Sequence, residues 1–171
     1  IYVSGDTNGI DVGDLVEDLT WSCDLIFENN HVTNNRGRGM LIAAKGTVRI
    51  ANNYFRSTGP SIIFESNGTK WFESGGTNRV IIENNVFEDC CYTDVWGNKI
   101  IDVIARDEFN GQDFYHNYIE ITGNEFIDCS KQILYADNVK TVVFKDNKMV
   151  NTNLEKIAVF VNCSDVITDT H

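Results

Sequence analysis

The hexapeptide Ile82-Glu83-Asn84-Asn85-Val86-Phe87 decides the fold, because its pattern recurs along the chain. The pattern is an apolar residue, two further positions, an asparagine, one more position and a second apolar residue. Successive asparagines are 23, 32, 39 and 23 residues apart, which is a 23-residue period with insertions of 9 and 16. A fixed period of roughly 20 to 50 residues is typical of a solenoid. The five copies are Phe27–Val32, Ile50–Phe55, Ile82–Phe87, Ile121–Phe126 and Phe144–Met149.

Each repeat is predicted to contain three short strands joined by three turns. One strand leads into the asparagine pair, and one follows it directly. Another follows the second asparagine by 10 or 11 residues in four copies, as in Met40–Ile42, and is delayed by about five residues in the copy that contains Ile100–Val103. Such a coil buries its apolar face only when it stacks on equivalent coils. The sequence therefore predicts an all-β, right-handed parallel β-helix with about 23 residues per rung, formed by residues 1–171 as a single domain.

Equivalent positions of a stacked solenoid form ladders along its axis. The second asparagine of each copy is expected to point inward and to bond the turn backbone of its neighbours. Cys90 and Cys129 occupy equivalent positions and are interpreted as stacked, buried free thiols, with a disulfide as the alternative. The expected polar ladder is Asn30, Asn53, Asn85, Asn124 and Asn147, and the apolar ladder beside it is Val32, Phe55, Phe87, Phe126 and Met149.

Composition limits the possible partners. The net charge is −11, which disfavours nucleic acid and anionic membranes and indicates either simple solubility or an acidic functional surface. No apolar run is long enough to span a membrane. No metal-ligand spacing, phosphate loop or nucleotide fingerprint occurs, so no metal or other cofactor is expected. The chain starts at Ile1, so we expect a fragment of a longer chain or a chain that has lost a leader. Open solenoid ends are expected to favour homo-oligomers.

Three insertions interrupt the period, at residues 67–78, 91–99 and 106–118. They flank the strand that comes latest in each repeat, and insertions in solenoids often form the binding face. Their aromatic and acidic residues suit a sugar site, although Trp71 could instead cover the solenoid wall. The segment Arg36-Gly37-Arg38-Gly39 and the nearby Glu65 add charged groups. Arginines flanked by glycines suit a ligand site, but surface charges or an ion pair with Glu65 would explain them as well.

Several of these motifs together resemble glycoside hydrolase family 110, the bacterial α-1,3-galactosidases. The resemblance covers about residues 15–104, and its specific elements are Arg36-Gly37-Arg38-Gly39 and Trp71-Phe72-Glu73-Ser74-Gly75. It implies the C-terminal part of an inverting β-helix enzyme that removes terminal α-linked galactose from glycans. It further implies a carbohydrate partner and a secreted or periplasmic bacterial protein. The substrate-binding residues that the resemblance implies are Arg36, Arg38, Glu65, Trp71 and Glu73.

The chain departs from the family pattern where acids are expected. It reads Glu65-Ser66-Asn67 where the family has Glu-Gly-Asp, and it lacks the adjacent Asp-Asp pair that the family carries. The main acid pair is therefore expected outside this chain, with Asp94 and Asp102 as the catalytic candidates within it. Residues 1–171 alone are expected to be inactive. The alternative is a non-catalytic β-helix module that binds glycans or serves as a spacer.

Overall fold

A computed structural model of the protein describes residues 5, 8–12, 16–66, 75–105 and 113–169, which form three parallel sheets. A short 3-10 helix, Leu19–Trp21, precedes them. Sheet A contains β1 (Leu25–Glu28), β4 (Thr47–Ala51), β7 (Arg79–Glu83), β10 (His116–Thr122), β13 (Val139–Lys145) and β16 (Asp165–Thr168). Sheet B contains β2 (His31–Thr33), β5 (Tyr54–Arg56), β8 (Val86–Glu88), β11 (Glu125–Ile127) and β14 (Lys148–Val150). Sheet C contains β3 (Met40–Ile42), β6 (Ile62–Ser66), β9 (Lys99–Ala105), β12 (Gln132–Asp137) and β15 (Ala158–Val161).

The chain visits sheets A, B and C in turn, and every inter-strand pairing is parallel. The register follows the sequence period: Phe27 pairs with Ile50, which pairs with Ile82, and the same column continues to Ile121 and Phe144. The prediction of a parallel β-helix is confirmed. No helix in the described part of the chain combines the length and apolar character that crossing a membrane requires.

The turn between sheets A and B is built by the asparagine pairs. The first residue of the pair is in the left-handed region, with φ of 57° at Asn29, 55° at Asn52 and 53° at Asn84. Asparagine tolerates this conformation better than most residues. The second residue points inward, and the Oδ1 atom of Asn85 accepts bonds from the backbone N and the Nδ2 of Asn53, both at 2.9 Å. The same bonds link every neighbouring pair from Asn30 to Asn147, so the polar ladder is confirmed.

The apolar ladder lies beside the asparagines and is also confirmed. Phe55, Phe87 and Phe126 are fully buried, and their rings stack at centroid distances of 5.1 and 4.9 Å. Val32 and Met149 continue the column at its two ends. Cys90 and Cys129 are buried free thiols, as expected. Burial raises the pKa of Cys90 to about 11 and that of Cys129 to about 12, so both remain protonated.

His116 is buried inside the solenoid at the start of β10. The backbone N–H of Thr77 donates to its Nδ1 at 3.1 Å, which places the proton of the neutral ring on Nε2. That Nε2 has no hydrogen-bond partner, and the ring meets the Phe64 ring edge-on at 6.2 Å. Burial, with a smaller effect of Lys45, lowers the pKa of His116 to about 4. The fold therefore holds this histidine neutral.

We expect His116 to make the fold acid-sensitive. Its pKa rises from about 4 in the folded chain toward 6.5 on unfolding, so the unfolded state binds the extra proton between those values. Above pH 6.5 this difference in pKa does not affect stability. As the pH falls below 6.5, the free energy of unfolding decreases, by about 3 kcal/mol at pH 4. Chemical unfolding at pH 7 and pH 4.5 measures how much the free energy of unfolding falls between the two. The fall should be smaller for His116→Gln than for the wild type. The control His31→Gln, on the outer face of sheet B, should keep the wild-type loss, and equal losses in all three would contradict the expectation.

The insertions border sheet C. Residues 91–98 enter β9 at one edge, and the described ends of the other two insertions, 75–78 and 113–115, follow β6 and β9 at the opposite edge. Side chains alternate along a strand, so Ile62 and Phe64 of β6 point into the core while Ile63 and Glu65 point outward. The described parts of the insertions therefore lie at the two edges of sheet C, on either side of its outer face.

Candidate functional site

A groove of about 430 Å³ lies where the turn before sheet C meets the outer face of that sheet. It draws residues from three successive rungs: Arg36 and Arg38 from the first, Ile63 from the second and Trp96 from the third, with Gly37 and Pro60 completing its wall. Two cationic side chains, an indole and an aliphatic floor thus share one surface. Of the residues predicted to bind substrate, Arg36 and Arg38 line this groove and Glu65 does not.

Backbone packing builds the groove wall. Gly39 N donates to Pro60 O at 3.0 Å, and Ser61 N donates to Ile100 O at 2.8 Å, so the three turns stack directly. A Cβ atom on Gly59 would overlap the carbonyl oxygen of Gly37 and would lie 2.6 Å from the Cβ of Trp96. Glycine is therefore required at position 59, because any side chain there would push the turns apart.

Trp96 lies against the arginine turn. A Cβ atom on Gly37 would be 3.6 Å from the indole ring, and the Arg36 guanidinium lies over the ring at 5.5 Å from its centroid. This cation–π contact fixes the direction of the Arg36 side chain. Sequence reasoning did not place Trp96 among the site residues, although its position in the 91–99 insertion was the available signal.

Two carboxylates flank the aliphatic floor of the groove. Asp102 of β9 pairs in register with Ile63 of β6, and Glu65 lies two residues beyond Ile63 on the same face. Both side chains are largely shielded, with 6% of Asp102 and 9% of Glu65 exposed. A strand separation of roughly 4.8 Å and a two-residue rise of roughly 6.6 Å put the Cα atoms of Glu65 and Asp102 about 8 Å apart.

A lysine and a tyrosine continue this face beyond Asp102. Lys99 Nζ is 3.8 Å from Asp102 Oδ1 and 4.4 Å from the centroid of the Tyr135 ring, and Tyr135 pairs in register with Asp102. Burial is the main cause that raises the pKa of Tyr135, so its hydroxyl stays protonated. The outer face of sheet C is thus a polar strip that runs along the solenoid axis from the arginines to Tyr135.

Comparison with known proteins shows what this chain is similar to. The α-1,3-galactosidase A of Shewanella woodyi is 32% identical over 143 residues, which cover 83% of this chain and 23% of the enzyme. The α-1,3-galactosidases B of Bacteroides thetaiotaomicron and Phocaeicola vulgatus are 31% and 33% identical, over 83% and 77% of this chain and 24% of each enzyme. No family model matches the chain.

The chain is homologous to the bacterial α-1,3-galactosidases. It spans about a quarter of the length of these curated relatives. The resemblance to glycoside hydrolase family 110 is thereby confirmed as homology. The α-1,3-galactosidase relationship extends beyond the specific motifs, because the matches cover about four fifths of the chain.

The remaining predicted site residues have different outcomes. Asp94 is 86% exposed and lies outside the groove, where its Oδ1 accepts from Lys131 Nζ at 2.5 Å. Trp71 and Glu73 lie outside the described residues, so their place in a galactosidase site stays a prediction. In the described ranges, no group of three or more His, Cys, Asp or Glu side chains is arranged to hold a metal ion.

A smaller cavity of about 360 Å³ lies at the opposite edge of sheet C. Lys45, Gly76, Tyr115 and Asn138 contribute to its lining. Asn138 is buried; its Oδ1 accepts from Tyr115 N at 3.0 Å, while its Nδ2 has no hydrogen-bond partner. This cavity lacks the paired arginines and the indole, so we take the groove at Trp96 as the candidate sugar site.

Proposed function

We propose that the protein carrying this chain is a glycoside hydrolase that removes terminal α-linked galactose from glycans by an inverting mechanism. The relatives named α-1,3-galactosidase support the reaction class. The observation that carries the proposal is the groove lined by Arg36, Arg38 and Trp96, with two shielded carboxylates next to its Ile63 floor by strand register, although neither of them lines it. Arrangements of this kind recognise a sugar by its hydroxyls and by its apolar face.

The arginines would hold the sugar by its hydroxyl groups. A guanidinium presents a rigid fork of donors, so Arg36 and Arg38 can each reach two oxygens of one ring. The ring of Trp96 restrains Arg36 at 5.5 Å, which lowers the entropy that binding would cost. Ile63 and the indole, which also line the groove, would exclude water from the other side of the bound sugar. The groove would therefore orient a galactosyl unit over the carboxylates.

Among the described carboxylates of this chain, Asp102 and Glu65 are the pair that we favour for the chemistry. Inverting glycosidases hold an acid and a base about 6.5 to 9.5 Å apart, which leaves room for a water molecule. The two Cα atoms are roughly 8 Å apart and both side chains leave the same face of the sheet, so the two carboxyl groups can approach a common substrate from neighbouring strands. Exposed Asp94 is the less suitable candidate, because its ion pair with Lys131 lies outside the groove.

In the proposed reaction, one protonated carboxyl gives its proton to the glycosidic oxygen as the bond to the anomeric carbon breaks. The other, ionised carboxyl takes a proton from water while the water oxygen bonds to that carbon from the opposite face. The products are β-galactose and the shortened glycan. The proton gained by the base balances the proton lost by the acid, and exchange with solvent restores both groups.

Arg38→Ala in the full-length protein is the direct test of the groove. Losing charge-assisted bonds to a hydroxyl should lower kcat/KM for an aryl α-galactoside by about 10-fold to 100-fold. The free energy of unfolding should change by less than about 1 kcal/mol. Arg79→Ala is the matched control, because Arg79 lies on sheet A over Tyr118. Equal activity of the Arg38 variant and the wild type would make the arginine pair structural.

The same assay separates the enzyme from the alternative function. We expect residues 1–171 alone to be inactive, since the relatives are about four times as long as the segment they share with this chain. Full-length protein that binds α-galactosides without cleaving them would favour the glycan-binding module. Turnover by residues 1–171 at the full-length rate would show that the complete catalytic set lies within them.

A further inference from the structure

We propose that Trp96 is the aromatic platform that makes the groove selective for galactose over glucose. This inference rests on the proposed function, because it assigns the specificity of the same site. Trp96 is the one aromatic residue among the described residues that line the groove. Sugar-binding sites use such rings because the carbon-bound hydrogens of a pyranose form an apolar face.

The indole is held in place from two earlier rungs. Gly97, which follows it, has a φ of 140°, and a Cβ atom there would lie 3.2 Å from the ring of Pro60. The Trp96 side chain starts against Gly59 and extends to Gly37 and Arg36. The ring is therefore positioned by close backbone packing that only glycines allow, rather than by a mobile loop end.

The ring remains available despite this packing. Trp96 is 45% exposed. The exposed part of the side chain borders the groove that it shares with Arg36, Arg38 and Ile63. A sugar held by the two guanidiniums would lie against the part of the indole that Arg36 and Gly37 leave uncovered, with the carboxylates at the Ile63 side.

Sugar stereochemistry then explains the selectivity. The hydroxyl at C4 of galactose is axial, so the hydrogens on C3, C4 and C5 lie together on one face and form a continuous apolar patch. In glucose the C4 hydroxyl is equatorial, and the hydrogens on C3, C4 and C5 are divided between the two faces. An aromatic ring therefore gains more contact from galactose, and stacked rings add affinity beyond the buried area.

The test uses isothermal titration of the full-length protein with methyl α-galactoside and methyl α-glucoside. Trp96→Leu keeps an apolar side chain but removes the aromatic face, and we expect it to lose about tenfold in affinity for the galactoside. Affinity for the glucoside should change by less than about twofold, so the preference between the two sugars should collapse. Trp96→Phe should keep part of the preference, and KM should rise more than kcat falls.

The outcomes distinguish this inference from the function on which it rests. The wild type could cleave α-galactosides while the Trp96→Leu variant binds both sugars as the wild type does. In that case the role proposed for Trp96 is wrong and the proposed hydrolase function is retained. Equal losses for both sugars would make Trp96 a wall residue and also overturn the selectivity. A wild type that neither binds nor cleaves galactosides overturns both. If Trp96→Leu fails to fold, the preference of Trp96→Phe decides.

Discussion

Asn85→Ala is expected to lower the free energy of unfolding by about 3 to 5 kcal/mol, because the variant leaves several buried groups without partners. Asn85 is 1% exposed. Its Nδ2, with two hydrogens to donate, lies 2.9 Å from Ile50 O, 3.0 Å from Glu83 O and 3.0 Å from Asn124 Oδ1. Its Oδ1 accepts from both nitrogens of Asn53. Alanine leaves part of the space empty and makes none of these hydrogen bonds.

The matched control is Asn117→Ala, the same substitution on the surface. Asn117 is exposed, and its Nδ2 contacts the Oδ1 of exposed Asn78 at 3.2 Å. The free energy of unfolding of Asn117→Ala should stay within about 0.5 kcal/mol of the wild-type value. Urea unfolding followed by circular dichroism measures both variants. If Asn85→Ala cost no more than Asn117→Ala, the ladder would be a consequence of the turn geometry and not a source of stability.

The rungs were predictable because their signal is repeated. Each copy carries a left-handed turn residue, an inward asparagine and an inward apolar residue, and these recur at one period. Even where the first asparagine is replaced, the replacement suits the same conformation: Gly123 has a φ of 66° and Asp146 a φ of 54°. Five agreeing copies leave little freedom for another register, so the columns of asparagines and phenylalanines could be assigned from spacing alone.

The site was less predictable because it depends on contacts that have no period. Trp96 reaches the arginine turn only because Gly37 and Gly59 let three backbones approach closely, and neither glycine carries a signature for that approach. The placement of Asp102 beside Ile63 follows from register, but register across an insertion of 16 residues could not show which acid is shielded. Asp94 and Asp102 therefore looked alike in sequence and differ in structure.

That difference leads to the prediction with the largest effect: Asp102→Asn in the full-length protein should lower kcat for an aryl α-galactoside by about 100-fold to 10,000-fold. The amide keeps the size of the side chain but can neither donate an acidic proton nor take one from water. Glu65→Gln should cause a loss of the same order. Asp165→Asn, on exposed β16 of sheet A, is the matched control and should retain wild-type activity.

Azide distinguishes the two roles. In the variant that lacks the base, azide can replace the activated water and attack the anomeric carbon, so activity should recover with formation of β-galactosyl azide. The variant that lacks the acid should instead retain activity on aryl galactosides whose leaving group needs little protonation. If Asp94→Asn is inactive while Asp102→Asn is active, the exposed carboxylate is the catalytic one. If all three carboxylate variants remain active, Glu65, Asp94 and Asp102 are all excluded as the catalytic acid or base, and the favoured pair is wrong.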